Sequence, residues 1–274
     1  REFRLVEGDA FNAAKIRKTR QQINNLGLFE TVQVETDQGD QPDQSILTVA
    51  VTEKSTGELS FGAGVSTSEG VLGDISIRER NLLGRGQDLR LGLQFSTRRQ
   101  EIDLSFTEPY FLDSDIAAGF DLFRTSTDFQ DESSFDQDAL GASLRANYTV
   151  AEDLRHGLRY TLRQDKISDV DVGTSRLIKE QEGTSIASSI GHTLTYDKRD
   201  SRLKPTEGYL VQFSQEVAGL GGDVHNLKHT LTTSYHWPLW SDWVVNTHLR
   251  QGHIIGLGED VRVNDRFFLG GSSL

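Results

Sequence analysis

The chain has no cysteine, no methionine and only 4 prolines in 274 residues. No apolar run approaches the ~18–20 residues that a membrane-spanning helix requires. The lack of cysteine excludes a thiol nucleophile and fits an oxidising compartment where stray thiols are avoided. With no methionine, Arg1 is not an initiator, so the chain is expected to begin inside a longer protein, with any signal segment upstream. Apolar residues are also scarce: 35% are hydrophobic, and the 26 glycines bring the share only to the low edge of the usual ~45–50%. The formal net charge of −12 argues against a nucleic-acid partner. Such composition reads as a soluble all-β protein, unless the apolar residues are confined to one face of each strand, as in a barrel wall.

The pattern changes near residue 55. Before it, Asn12 is placed to cap a helix carrying Ile16, Ile23 and Leu26, and Gly27 is placed to end it. Phe29, Val32 and Val34, then Leu47, Val49 and Val51, predict a hairpin joined through residues 39–43. Ile16, Ile23, Leu26, Phe29, Val32 and Val34 are the expected core of this small α+β unit, which has too few partners to bury both elements well.

From Leu59 the period is two. Leu59, Phe61, Ala63 and Val65 alternate with Ser60, Gly62, Gly64 and Ser66. Leu89, Leu91, Leu93 and Phe95 alternate with Arg90, Gly92, Gln94 and Ser96. Eleven such segments are centred near residues 61, 75, 92, 104, 119, 143, 159, 190, 212, 232 and 248, each about the 9–11 residues of a tilted membrane strand. Connections after the even segments are expected at 83–86, 108–111, 151–153, 204–208 and 237–240, as short turns. Larger loops are expected after odd segments, at 125–138 and 167–183. Tyr110, Phe111, Trp237, Trp240 and Trp243 crowd strand ends, as an interfacial girdle would. A soluble sandwich also alternates, but its strands usually run ~5–6 residues. Single-chain bacterial barrels have even strand numbers, so eleven predicts missing strands.

Specific residues narrow this further. Leu5 to Asn12, Ile16-Arg17, Leu26 to Phe29 and Val32 to Val34 resemble a POTRA domain, the periplasmic polypeptide-binding module of the BamA family of outer-membrane assembly factors. The match covers its second helix and last two strands. Phe61 to Val65 then resembles the family's first barrel strand. Asn81-Leu82-Leu83-Gly84, Glu108-Pro109-Tyr110-Phe111, Asp197-Lys198-Arg199-Asp200 and Pro205-Thr206-Glu207-Gly208 follow as family landmarks in order. Phe267 to Leu274, including Phe268, Gly270 and Gly271, looks like the mouth of the family's large sixth extracellular loop. There the loop continues into an Arg-Gly-Phe or Arg-Gly-Tyr motif that tucks into the barrel. The resemblance implies a mainly β chain: residues 1–54 the C-terminal part of a POTRA domain, and 55–274 about eleven strands of a sixteen-stranded antiparallel transmembrane barrel. The chain is expected to be cut off at both ends.

Candidate chemistry is sparse. His225 and His229 would mark a metal on a helix, but in a strand they stand roughly 13 Å apart at ~3.3 Å per residue. Solvated wall histidines are the expectation. Asp169 to Gly173 and the acidic run from Asp128 to Asp138 lack the twelve-residue calcium pattern and read as external loops. No Gly-x-Ser-x-Gly elbow or P-loop occurs. Asp197, Arg199 and Asp200 read as an ion-paired turn of barrel architecture.

The first strand carries the functional expectation. An edge exposes backbone groups that are costly in hydrocarbon, so a barrel must pair its first and last strands. A weak seam can open and template an incoming strand. Gly62 and Gly64 fit two readings equally: a seam built to open, or relief of crowding in the wall. The resemblance, in which Leu59, Phe61, Gly62, Ala63, Gly64 and Val65 belong to a lateral gate, favours the first. It implies a non-enzymatic insertase with no cofactor, metal or nucleotide. Its partners would be unfolded outer-membrane precursors, accessory assembly lipoproteins, and outer-membrane lipid and lipopolysaccharide. The location would be the Gram-negative outer membrane, with the POTRA segment in the periplasm. A secretion pore of the same superfamily is the alternative, and a soluble binding module the more distant one.

Overall fold

The computed structural model describes residues 3–267, apart from 4, 6, 40, 42, 43, 68, 203, 241 and 242. The chain divides into two units, residues 1–58 with 79–87, and residues 59–78 with 88–274.

In the first unit, α1 (Ala13–Asn25) starts where the Asn12 side chain accepts from the backbone N–H of Ala14 at 2.9 Å and Lys15 at 3.1 Å. Two donors that the helix leaves unmatched are thereby satisfied. The helix stops at Gly27, whose φ of +69° costs a glycine little. Antiparallel β1 (Phe29–Gln38) and β2 (Ser45–Glu53) follow, with Val32 opposite Val51 and Val34 opposite Val49. α1 packs on β1. Ile23, Thr19 and Val32 are buried there, and Ile16, Phe29 and Val34 are half-buried. Leu26, expected in the same core, is 39% exposed because it is the residue after the last helical turn.

The remaining strands form one antiparallel sheet in chain order. They are β3 (Gly57–Ser66), β4 (Gly70–Leu82), β5 (Gln87–Ser96), β6 (Arg99–Glu108), β7 (Ile116–Asp128) and β8 (Asp136–Ala151). Then come β9 (Leu154–Ser168), β10 (Gly183–Asp197), β11 (Gly208–Gly222), β12 (Asn226–Trp240) and β13 (Trp243–Gly256). Two short helices, α2 (Gln130–Ser133) and α3 (Arg176–Lys179), lie in the connections after β7 and β9. β3 and β13 each have a strand neighbour on one side only among the described residues, so the sheet does not close on itself.

The two faces of this sheet are inverted relative to a soluble protein. Leu144, Leu158, Leu162, Ile190, Tyr235 and Leu249 are among the many large apolar side chains that stay exposed on one face. The buried residues include Ser143, Asp165, Ser185, Ser189 and Asn226 on the other. Hydrocarbon outside and a polar interior reproduce this distribution, whereas water outside does not.

Three expectations need correction. Trp237 to Trp240 is the end of β12 rather than a turn, and Pro238 is accommodated where the β12–β13 register shifts. The connections 109–115 and 198–207 are as long as several on the opposite end, so length does not separate the two ends. His229 is not a solvated histidine: it is half-buried on the apolar face, within hydrogen-bonding distance of Gln215 at 3.3 Å.

Candidate functional site

β3 presents Leu59, Phe61 and Val65 on the apolar face at 58%, 72% and 84% exposure, with Ala63 between them also exposed. The intervening glycines receive side chains of β4. A Cβ on Gly62 would lie 2.0 Å from Asp74 Oδ1, and one on Gly64 would lie 3.1 Å from Leu72 Cδ1. β3 is joined to β4 by the backbone ladder and by an ion pair of Glu58 with Arg80 at 2.9 Å, and between these a β4 side chain leans into each glycine gap. Such a contact gives way by rotation rather than by breaking a packed core.

The turn after β10 is built around two carboxylates. Asp197 is buried and accepts from Arg199 Nε at 2.8 Å and Nη2 at 3.0 Å, with Arg155 and Arg202 at 3.6 and 3.7 Å. Asp200 accepts from the Thr206 hydroxyl and from the backbone N–H of Thr206 at 2.9 Å and Glu207 at 3.1 Å. The Thr206 hydroxyl, then those two N–H groups, hold the Asp200 carboxyl below the usual carboxylate range. Lys198 pairs with Asp153, which raises its ammonium pKa. Gly208 closes the turn at φ +100°, where a Cβ would meet Lys198 O at 2.1 Å. Asp197, Arg199 and Asp200 are thus brought together; their hydrogen bonds shape the turn, and the Arg155 contact ties Asp197 to β9.

Two polar clusters on the buried face were not anticipated from the sequence. Arg145 donates to Asp121 at 3.1 and 3.2 Å, to Ser105 and Thr107 hydroxyls at 2.8 Å each, and to Phe106 O at 3.1 Å. It reaches across β6, β7 and β8 because Gly119 leaves room beneath it. Arg163 sits between Asp165 at 2.7 Å and Asp265 at 2.8 Å. The apolar face also carries a row of register partners, His192, Gln215, His229 and His253, flanked by Leu194, Phe213 and Leu231 on one side and Ile190, Val217 and Leu227 on the other. Alternation gives the face of each residue, but only register places them side by side.

Among the described residues no group of three or more His, Cys, Asp or Glu side chains converges as a metal site. Phe268, Gly270 and Gly271, the expected mouth of the sixth loop, lie outside the described residues. Phe267 is described, and its ring stands over Gly252 of β13.

Residues 1–54 match the POTRA family, described as a surface antigen variable number repeat. The chain is 33% identical over 276 residues to outer membrane protein assembly factor BamA of Nitratidesulfovibrio vulgaris, covering 99% of this chain and 34% of that protein. It is 31% identical to the factor of the same name in Neorickettsia risticii, covering 98% of this chain and 37% of that one. The sorting and assembly machinery component 50 homolog B of Xenopus laevis is 28% identical over 94% of the chain and 56% of its own length. The chain therefore spans about a third of the bacterial relatives' length. Among solved structures, BamA from Haemophilus ducreyi lacking POTRA domains 1–3 superposes with a TM-score of 0.81 at 22% identity, over 99% of this chain and 55% of that one. CdiB from Acinetobacter baumannii gives 0.57 at 14%, over 99% and 52%. These two likenesses concern the fold. The profile of the Omp85 superfamily domain matches residues 81–274, and with the inverted sheet already described, this chain belongs to the Omp85 superfamily.

Proposed function

We propose that the protein inserts precursor β-barrel proteins into the Gram-negative outer membrane, with residues 1–54 as a periplasmic POTRA segment and 55–274 as barrel wall. The carrying observation is β3: an edge strand of the inverted sheet, apolar outward and glycine-gapped inward. The edge of β3 away from β4 can pair with an incoming strand when no seam partner occupies it. Each backbone hydrogen bond formed removes a penalty of several kcal/mol for an unmatched group in hydrocarbon. The step is non-enzymatic: apolar burial and strand pairing supply its free energy, with no nucleotide or metal. Relatives called assembly factors and sorting and assembly machinery components support this reading. Unfolded barrel precursors are the proposed clients, with accessory lipoproteins and lipopolysaccharide as neighbours. The likeness to CdiB makes a polypeptide-secreting pore the second reading.

A lock on the seam tests this. An Ala63→Cys substitution is paired with a cysteine in the last barrel strand of the full-length protein, with any other cysteine of that protein replaced by serine. Oxidation is expected to abolish insertion of an unfolded barrel precursor into liposomes, and reduction to restore it. Insertion that persists in the oxidised protein would rule out strand templating at this seam.

A further inference from the structure

Arg163 lies on the buried, polar face of β9, two residues from Asp165 on the same face, and these two pair at 2.7 Å. That pair alone is charge-balanced. A second carboxylate nonetheless joins it from 102 residues away, Asp265 at 2.8 Å from Arg163 Nη2. Asp165 is 5% exposed, so Asp265 has been brought beside a buried like charge. The guanidinium between them bonds both carboxylates and offsets their repulsion.

Asp265 belongs to the segment that follows β13, and the contacts around it follow one course. The backbone N–H of Val263 donates to Gln181 Oε1 at 2.9 Å, and Asn226 Nδ2 of β12 donates to Asp265 Oδ2 at 3.4 Å. The Phe267 ring occupies the gap at Gly252 of β13, where a Cβ would be 2.5 Å from it, and Lys228 Nζ stands 4.8 Å from the ring centroid. The segment thus crosses the polar face from β13 to β9, anchored at each end. Between the anchors a cavity of about 240 Å³ remains, lined by Arg163, Asn226 and Asp265 on its polar side and by Ala187, Ala218 and Val224 on its apolar side.

We propose that Arg163 is a positioning residue: it holds Val261–Phe267 against the polar face of the sheet, and its loss turns that attachment into repulsion between Asp165 and Asp265. The need for a held strap during barrel insertion rests on the function proposed above; the attachment itself does not.

The test uses the full-length protein in liposomes, with Asn264→Cys as the sole cysteine and a membrane-impermeant maleimide as probe. In the parent, labelling is expected to be slow. Arg163→Gln and Asp265→Asn should each speed it about tenfold or more, as a local attachment is lost. The exchange Arg163→Asp with Asp265→Arg keeps the net charge and should return the rate to near the parent's. Precursor insertion should fall in both single variants and recover in the exchange. Unchanged labelling in both single variants, or no recovery in the exchange, would overturn the attachment. If Arg163→Gln fails to fold, Asp265→Asn decides, since it leaves the wall intact. Labelling that follows the expectation while insertion stays constant in every variant would overturn the positioning role. A parent that inserts no precursor would instead count against the proposed function, and the labelling arm would still decide the attachment.

Discussion

Between β3 and β5, neighbouring strands meet where a side chain of one leans into a glycine of the next. Asp74 and Leu72 cover Gly62 and Gly64, and Phe95 covers Gly73. Between β6 and β9 they meet around guanidinium groups: Arg145 binds Asp121, Ser105, Thr107 and Phe106 O, and Arg159 adds a contact to Asp121 at 3.2 Å. The first arrangement fills space with atoms that can rotate away. The second ties three strands through a largely withdrawn Arg145–Asp121 pair, where breaking one partner strands the other, and the half-exposed Arg159 adds a fourth. Glycine gaps occur in the second stretch too, where Phe123 covers Gly141 and Asn147 covers Gly157, but there the guanidinium network is added, so we call the first flank compliant and the second stiff. The compliant flank is the one that carries the edge strand β3. An ion pair of Arg78 with Asp88 does link β4 to β5, close to the turn between them. The contrast is thus strongest away from that turn.

The largest expected effect lies on the stiff flank. Arg145→Ala leaves Asp121 largely withdrawn from water with only Arg159 and the Ser105 hydroxyl beside it, and removes the guanidinium's ties to β6. A loss of about 3–5 kcal/mol is expected, as when one partner of a buried pair is deleted. It is read as the shift in urea midpoint of the folded, heat-modifiable form. A shift no larger than that of a surface alanine would erase the distinction between the flanks. Gly119→Ala comes next. Its Cβ would fall 2.3 Å from Phe106 O, a backbone atom that cannot rotate away, and 3.0 Å from the Arg145 guanidinium. Overpacking of this kind costs about 1–3 kcal/mol, and the same denaturation measurement checks it. Combined with Arg145→Ala, its effect should be less than additive, because the two act on one network.

Much of this architecture could be read from the sequence, and the misses share a cause. Eleven period-two segments, the Asn12 cap and the Gly27 stop depend on spacing along the chain, and each corresponds to an element. The turn from Asp197 to Gly208 was legible because its residue types are fitted to local bonds. Arg145, Arg163 and the row from His192 to His253 depend on register, which aligns residues tens of positions apart. Within its own strand each is one polar residue at one parity. Trp237 to Trp240 failed for a different reason: a proline beside two tryptophans resembles a turn, yet an irregular register lets it stay in the strand. Leu26 has apolar chemistry and helical phase but falls just beyond the helix, where phase no longer buries it.

The smallest expected effect probes the compliant flank. At Gly62 a Cβ would nominally overlap Asp74 Oδ1 at 2.0 Å, a closer approach than any at Gly119. Distance alone would rank Gly62→Ala as the more damaging change. The obstacle, however, is the end of an exposed side chain, free to turn about χ1 and χ2, and the glycine it replaces had conformational freedom to lose. The two contributions oppose each other, so the expected change in urea midpoint corresponds to less than about 1 kcal/mol. The informative readout is the ratio of Gly119→Ala to Gly62→Ala under identical conditions. A ratio well above one identifies what the obstructing atom belongs to, backbone or mobile side chain, as the variable that separates the flanks. A ratio near or below one would mean that β3 is packed against β4 as rigidly as β7 against its neighbours, and would erase the contrast between the flanks.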